Sequence, residues 1–394
     1  MTSTNAPAQI TLSFSRSAGI VAVATGEKYP WAQTALEATG FRRRQEGTYA
    51  LAVEDPQAAQ ATVVELLQTA DHHQSIVRIS GRSFIGDVAE GIAAHLPGRW
   101  SATVDVYSHP LWQEDLVPLL WDAGELSDVV QTARIPSAAV LSDGAGTELL
   151  LVERPGHRQD YLVGAFAPEG FDDNYEEPHA PSSIVVSGAA QPAARAISDR
   201  FLPAYHRAVH IRRIAVISSA LDRIREESQA WETMKESGRY SDGSRLIAGV
   251  LPGAEEEFAN LSWYAIRDVL HHALAVLERC HPTDPAEPQD TAALDRLAGA
   301  LVRGKEVLAD WSTHGGLRAS PGVPPVDSYL QAKAERDARM RPVIETWLAD
   351  GDAFLRRARA ATPASSSAPS GSGPGATALP PALPAPPGST PARH

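Results

Sequence analysis

The apolar residues of this 394-residue chain change period once, near residue 190, and that change limits the fold more than any other feature. Before it, short apolar or alternating runs are separated by turns rich in Gly, Pro and Asp. After it, apolar residues recur at spacings of three and four as far as residue 361. Strands repeat every two residues and helices every 3.6, so the two halves require different architectures. The pattern predicts an α+β protein: two small α+β domains, 9–99 and 100–190, then a helical bundle over 191–361. The final segment, 362–394, has no aromatic and no acidic residue and is dominated by Ala, Pro, Ser and Gly. It has too little apolar surface to offset its ordering entropy and is expected to be disordered. Pro381, Pro384 and Pro387 give overlapping P-x-x-P spacings, which composition alone accounts for.

In the first segment, runs at 10–14 and 20–25 flank Ser17-Ala18-Gly19 and predict a hairpin. Pro30 opens a helix that Gly40 ends, and Glu46-Gly47 marks a second hairpin. Asp55 is placed to cap the next helix, followed by a strand at 76–79 and a short helix at 84–95. The second segment opens with a strand at 102–107 and a helical stretch at 114–132, interrupted at Pro118. Runs at 138–141, 148–152 and 161–166 predict an antiparallel meander, with a fourth strand at 184–186. In the third segment, Pro203 is expected to separate a short helix from a long one. The seam of the long helix is Ile214, Ile217, Leu221, Ile224, Ser228 and Trp231. Further helices fit 255–280, 291–311 and 326–359, the last with a kink expected at Pro342.

Charge is unevenly distributed. The net −13 excludes a chain-wide basic surface for nucleic acid or anionic lipid. Residues 100–190 hold 15 acidic side chains against three basic ones, Arg134, Arg154 and Arg158, whereas the segments on either side are close to neutral. The middle segment is therefore the candidate surface for a basic partner, although a solvated acidic loop around Asp172, Asp173, Glu176 and Glu177 explains part of the excess and lacks EF-hand spacing. Arg42-Arg43-Arg44 and the run His206, Arg207, His210, Arg212, Arg213 are the basic exceptions. Solvent exposure or pairing with the acidic segment accounts for them better than phosphate contact does.

Most catalytic signatures are absent: no phosphate-binding loop, no dinucleotide fingerprint, no H-E-x-x-H and no G-x-S-x-G. Tyr329 and Lys333 match Y-x-x-x-K by spacing alone. Cys280-His281, and Glu176 with His179, supply at most two metal ligands each. Neither a cofactor nor a metal is expected. Arg267-Asp268-Val269-Leu270-His271-His272, in an apolar helix, resembles the R-[NDH]-x-x-x-H element of HEPN-type ribonucleases, helical bundles that act without a metal. The resemblance covers about a dozen residues. It implies His272 as general acid or base for the RNA 2′-hydroxyl, Arg267 as stabiliser of the phosphorane charge, and Asp268 as the residue that orients them. On a regular helix, however, Arg267 and His272 lie roughly 140° apart, so they converge only through a distortion or across a dimer.

Segments 41–67 and 137–171 resemble uncharacterised proteins of high-GC bacteria and their mobile elements, a setting that the four lysines against 31 arginines also suit. With one cysteine, no signal-like segment and no apolar run of membrane-spanning length, the expected location is cytoplasmic. The function these features favour is a non-enzymatic interaction or accessory protein. It would bind a protein partner or a second copy through the helical region, or a basic partner through 100–190. A metal-independent ribonuclease is the alternative, and a nucleic-acid-associated accessory protein a weaker one.

Overall fold

The chain begins with a hairpin, β1 (Ala8–Ser15) and β2 (Gly19–Thr25), in antiparallel register with Phe14 opposite Ile20. Its turn needs Gly19: φ is +78°, and a Cβ there would stand 2.5 Å from the Leu51 carbonyl oxygen. The described residues of this computed structural model are 7–171, 178–239, 244–245, 251–280, 288–314 and 325–362. Helix α1 (Tyr29–Ala38) follows with Pro30 in its first turn, then the short hairpin β3 (Arg42–Arg43) and β4 (Tyr49–Leu51). Asp55 caps α2 (Pro56–His72) by accepting a hydrogen bond from the Gln57 backbone N–H at 2.9 Å. β5 (Ser75–Ser83) then pairs parallel to β1, which completes a five-stranded sheet of order β3-β4-β2-β1-β5. Ile10, Leu12, Ala22 and Ala24 form a core with Ala32, Leu36 and Leu66 of the two helices.

After α3 (Ile85–Ala93), a second, antiparallel sheet takes the order β11-β10-β9-β8-β6, from β6 (Ser101–Val106), β8 (Ser137–Ser142), β9 (Glu148–Glu153), β10 (Asp160–Phe166) and β11 (Ile184–Ser187). The helical stretch expected at 114–132 is different. A 3-10 turn runs over Pro110–Leu116, the two-residue β7 (Leu120–Trp121) pairs with β10, and only α4 (Glu125–Thr132) is α-helical. Trp121 is fully buried, and its burial holds this segment in the sheet. One face of the sheet packs against Leu116, Leu126 and Val130. The other packs against α3 and against α5 (Ala190–Ala196) with the start of α6 (Leu202–Ser237).

Packing thus crosses both residue 99 and residue 190, and 1–362 forms one compact unit. No helical break separates α5 from α6. A π-helical turn, Ile197–Phe201, joins them, and Pro203 follows it within one continuous helical run, so the extra residue of the π turn sits where the proline lacks an N–H. At 36 residues, α6 is about 54 Å long. Tyr205 and Val209 belong to the sheet core, while Ile214, Ile217, Leu221 and Ile224 belong to the bundle built with α7 (Leu251–Leu277), α8 (Pro288–His314) and α9 (Pro325–Ala360). The helix of α9 continues through Pro342. No helix among the described residues is long and apolar enough to cross a membrane. The proline-rich segment, apart from Thr362, and the acidic run 172–177 lie outside the described residues.

Candidate functional site

Helix α7 carries the ribonuclease-like residues, and Asp268 and His272, four apart, share one of its faces. Arg267 is exposed. Asp268 accepts an ion pair from Arg223 of α6 at 3.2 Å. His272 is 3% exposed; its ring packs on Phe171 (centroids 5.4 Å apart) and edge-on against His271 (4.8 Å), and it hydrogen-bonds the Gly170 backbone. Burial, with His271 and Arg213 nearby, pushes its pKa down to about 4, so the ring is neutral at pH 7. His271 Nε2 lies 3.4 Å from the Glu169 carbonyl oxygen. The two histidines therefore fasten the loop after β10 to α7, while Asp268 is taken up by its ion pair and Arg267 is exposed.

The basic runs are also used internally. Arg44 pairs with Glu46 at 2.7 Å within its own hairpin, and Arg42 and Arg43 are exposed. Arg212 lies over the Phe171 ring, while His210 is buried with its Nε2 3.0 Å from the Ala358 carbonyl oxygen.

Four of the fifteen acidic residues of the middle segment line a cleft of about 940 Å³ along β6, the outer strand of the second sheet. Carboxylates reach it from four places: Asp105 on β6, Asp115 on the 3-10 turn, Glu148 at the start of β9, and Glu169 in the loop after β10. Glu46 joins them from the β3–β4 hairpin, already paired with Arg44. Among the described residues no cation pairs with the other four, and no Lys or Arg lines the cleft. Desolvation raises the Asp105 pKa above the ordinary carboxylate value.

The walls are aromatic, from Tyr107, Trp112, Phe166 and Phe171. Trp112 is held by Tyr29, with ring centroids 5.4 Å apart. Behind Tyr107, the Arg134 guanidinium donates to the carbonyls of Tyr107 and Ser108 and to Gln113 Oε1. Buried Gln113 in turn donates to the carbonyls of Val130 and Ala133 at 2.8 and 2.7 Å. This network fixes the wall that carries Trp112 and Asp115. Tyr107 itself is 8% exposed, and its buried hydroxyl has no hydrogen-bond partner. Burial, then the Asp105 charge, raise its pKa, so the phenol stays protonated.

The cleft suits an organic cation: carboxylates supply charge, and ring faces attract ammonium or guanidinium groups. Among the described residues no group of three or more His, Cys, Asp or Glu is arranged to hold a metal ion. Segment charge pointed to this region without identifying the site. Which acids converge depends on strand order, and Glu46 comes from another segment. Tyr107 and Trp112 have no local signature. No family model, curated protein or solved structure matches the chain.

Proposed function

We propose that this protein is a non-catalytic binding protein whose acidic cleft receives the Lys or Arg side chains of a basic segment in a partner protein. The observation that carries this reading is the convergence of Asp105, Asp115, Glu148 and Glu169, none of them ion-paired among the described residues, on one aromatic-walled cleft. Unpaired like charges held together are unfavourable in the free protein, and a basic partner relieves that repulsion. An extended chain suits the site better than a compact cation, because the cleft follows an outer strand and has a volume near the upper end for small-molecule sites.

The test is fluorescence anisotropy with a fluorescein-labelled peptide of alternating Arg and Gly. Wild-type protein is expected to bind it with an affinity that falls as salt rises. Removing the four charges together (Asp105→Asn, Asp115→Asn, Glu148→Gln, Glu169→Gln) is expected to weaken binding by about tenfold or more. A control that removes four exposed acids elsewhere (Glu65→Gln, Asp71→Asn, Glu90→Gln, Asp128→Asn) stays within about twofold of wild type. Equal losses in the two variants mean that net charge alone attracts the peptide, and the reading fails.

A further inference from the structure

The apolar seam of α6 contains a gap. Ile214, Ile217, Leu221 and Ile224 are buried in the bundle core at alternating spacings of three and four, and the next seam position is Ser228. Across from it, α7 presents Ala259 and Ser262. Small side chains on both helices leave unfilled what aliphatic residues would close, and the result is a cavity of about 450 Å³ between α6, α7 and α9. That volume lies in the range of small-molecule sites, and the space between bundle helices is a common place for them.

The walls are aromatic and fixed in position. Trp263 is 4% exposed, and the Arg336 guanidinium lies 4.2 Å from its ring centroid and 4.5 Å from that of Trp311. Asp337 holds the guanidinium at 2.6 Å. Trp231 and the buried Met340 complete an apolar lining to which a flat ring can conform. The lining also carries charges of both signs, Glu232, Asp337 and Glu345 with Lys235 and Arg341, and Lys235 and Glu232 pair at 2.6 Å, so an uncharged ligand is the one that disturbs none of them. One polar group beside it is unaccounted for. Ser262 is 1% exposed and its hydroxyl has no hydrogen-bond partner, although a helical serine ordinarily bonds a carbonyl of the preceding turn or reaches water.

We infer that this cavity binds a small, uncharged, planar aromatic molecule bearing one hydroxyl or carbonyl group. The ring lies against Trp231, Trp263 and Met340, and the polar group meets Ser262. The site is separate from the acidic cleft and stands or falls independently of it.

Saturation-transfer NMR and calorimetry on the full chain test it with 2-naphthol and naphthalene as probes. Wild-type protein binds both, 2-naphthol more tightly. Ser228→Leu, which continues the seam into the cavity, raises the melting temperature and abolishes binding of both probes. Ala259→Leu fills the same space from α7 and keeps the test decisive if Ser228→Leu fails to fold. Ser262→Ala lowers 2-naphthol affinity by about fivefold and leaves naphthalene unchanged. Absence of binding to wild type, or unaltered binding to a folded filled variant, overturns the site. An unaltered 2-naphthol affinity in Ser262→Ala overturns the assignment of the polar group.

Discussion

Protonating His272 means charging a ring packed on Phe171 with Arg212 and Arg213 close by, and its pKa falls accordingly to about 4 from 6.5. The unfolded chain takes up this proton near pH 6.5 and the folded chain only near pH 4, so the contribution is fully present above pH 6.5. It is lost as pH falls toward 4 and amounts to about 3 kcal/mol when complete. His206 and His210, also shifted down by burial, add to the slope with the same sign. Urea unfolding across pH 7 to 4 is expected to show the decline, and His272→Phe to flatten part of it. An unchanged slope in that variant contradicts the account. If the ring is a packing element, His272→Phe also leaves any metal-independent RNA cleavage by the preparation unchanged; abolition of such cleavage supports the ribonuclease reading instead. The sequence showed His272 in an apolar helix. It did not show Phe171, about a hundred residues earlier, because that contact depends on how the β10 loop docks on α7.

At the level of elements, most of what the sequence made legible is local. The hairpin around Gly19, the Asp55 cap and the runs that became β8, β9 and β10 are encoded within a few residues of themselves. The parallel pairing of β5 with β1 is not, since it joins strands some sixty residues apart and leaves no mark on either. The 110–121 segment misled because Leu120 and Trp121 are spaced acceptably for a helix, yet they are buried in a two-residue strand against β10. Pro203 misled for a different reason: the helix passes through it, with a π turn immediately before it in place of the expected break. Helix crossings in the bundle depend on close approach. At Gly304 of α8, a Cβ would stand 2.7 Å from both δ carbons of Leu270 on α7 and 3.2 Å from Val343 on α9. Leu270 and Val343 are fully buried and have little room to yield. Gly304→Ala is therefore expected to cost about 1–3 kcal/mol by urea denaturation, despite the better helix propensity of alanine. A neutral or stabilising result means that the helices separate there more easily than the packing implies.

Across the molecule, α6 links the sheet core to the bundle core, and the acidic excess is confined to residues 100–190. The middle segment's acidic excess was visible by counting, and the fold turns part of it into a site by bringing β6, the 3-10 turn, β9 and the β10 loop to one edge. The cleft is therefore a property of topology, and its two most specific residues, Tyr107 and Trp112, were silent in the sequence. The histidine-fastened loop carries both Glu169 and Phe171, so stability at the α7 contact and the shape of the cleft are connected. The most direct test of the central claim is amide hydrogen exchange on the full chain with and without the Arg-Gly peptide. Protection is expected at 103–107, 112–119 and 166–171, with the bundle unchanged. Protection confined to other segments, or none at saturating peptide, contradicts the cleft as the binding site.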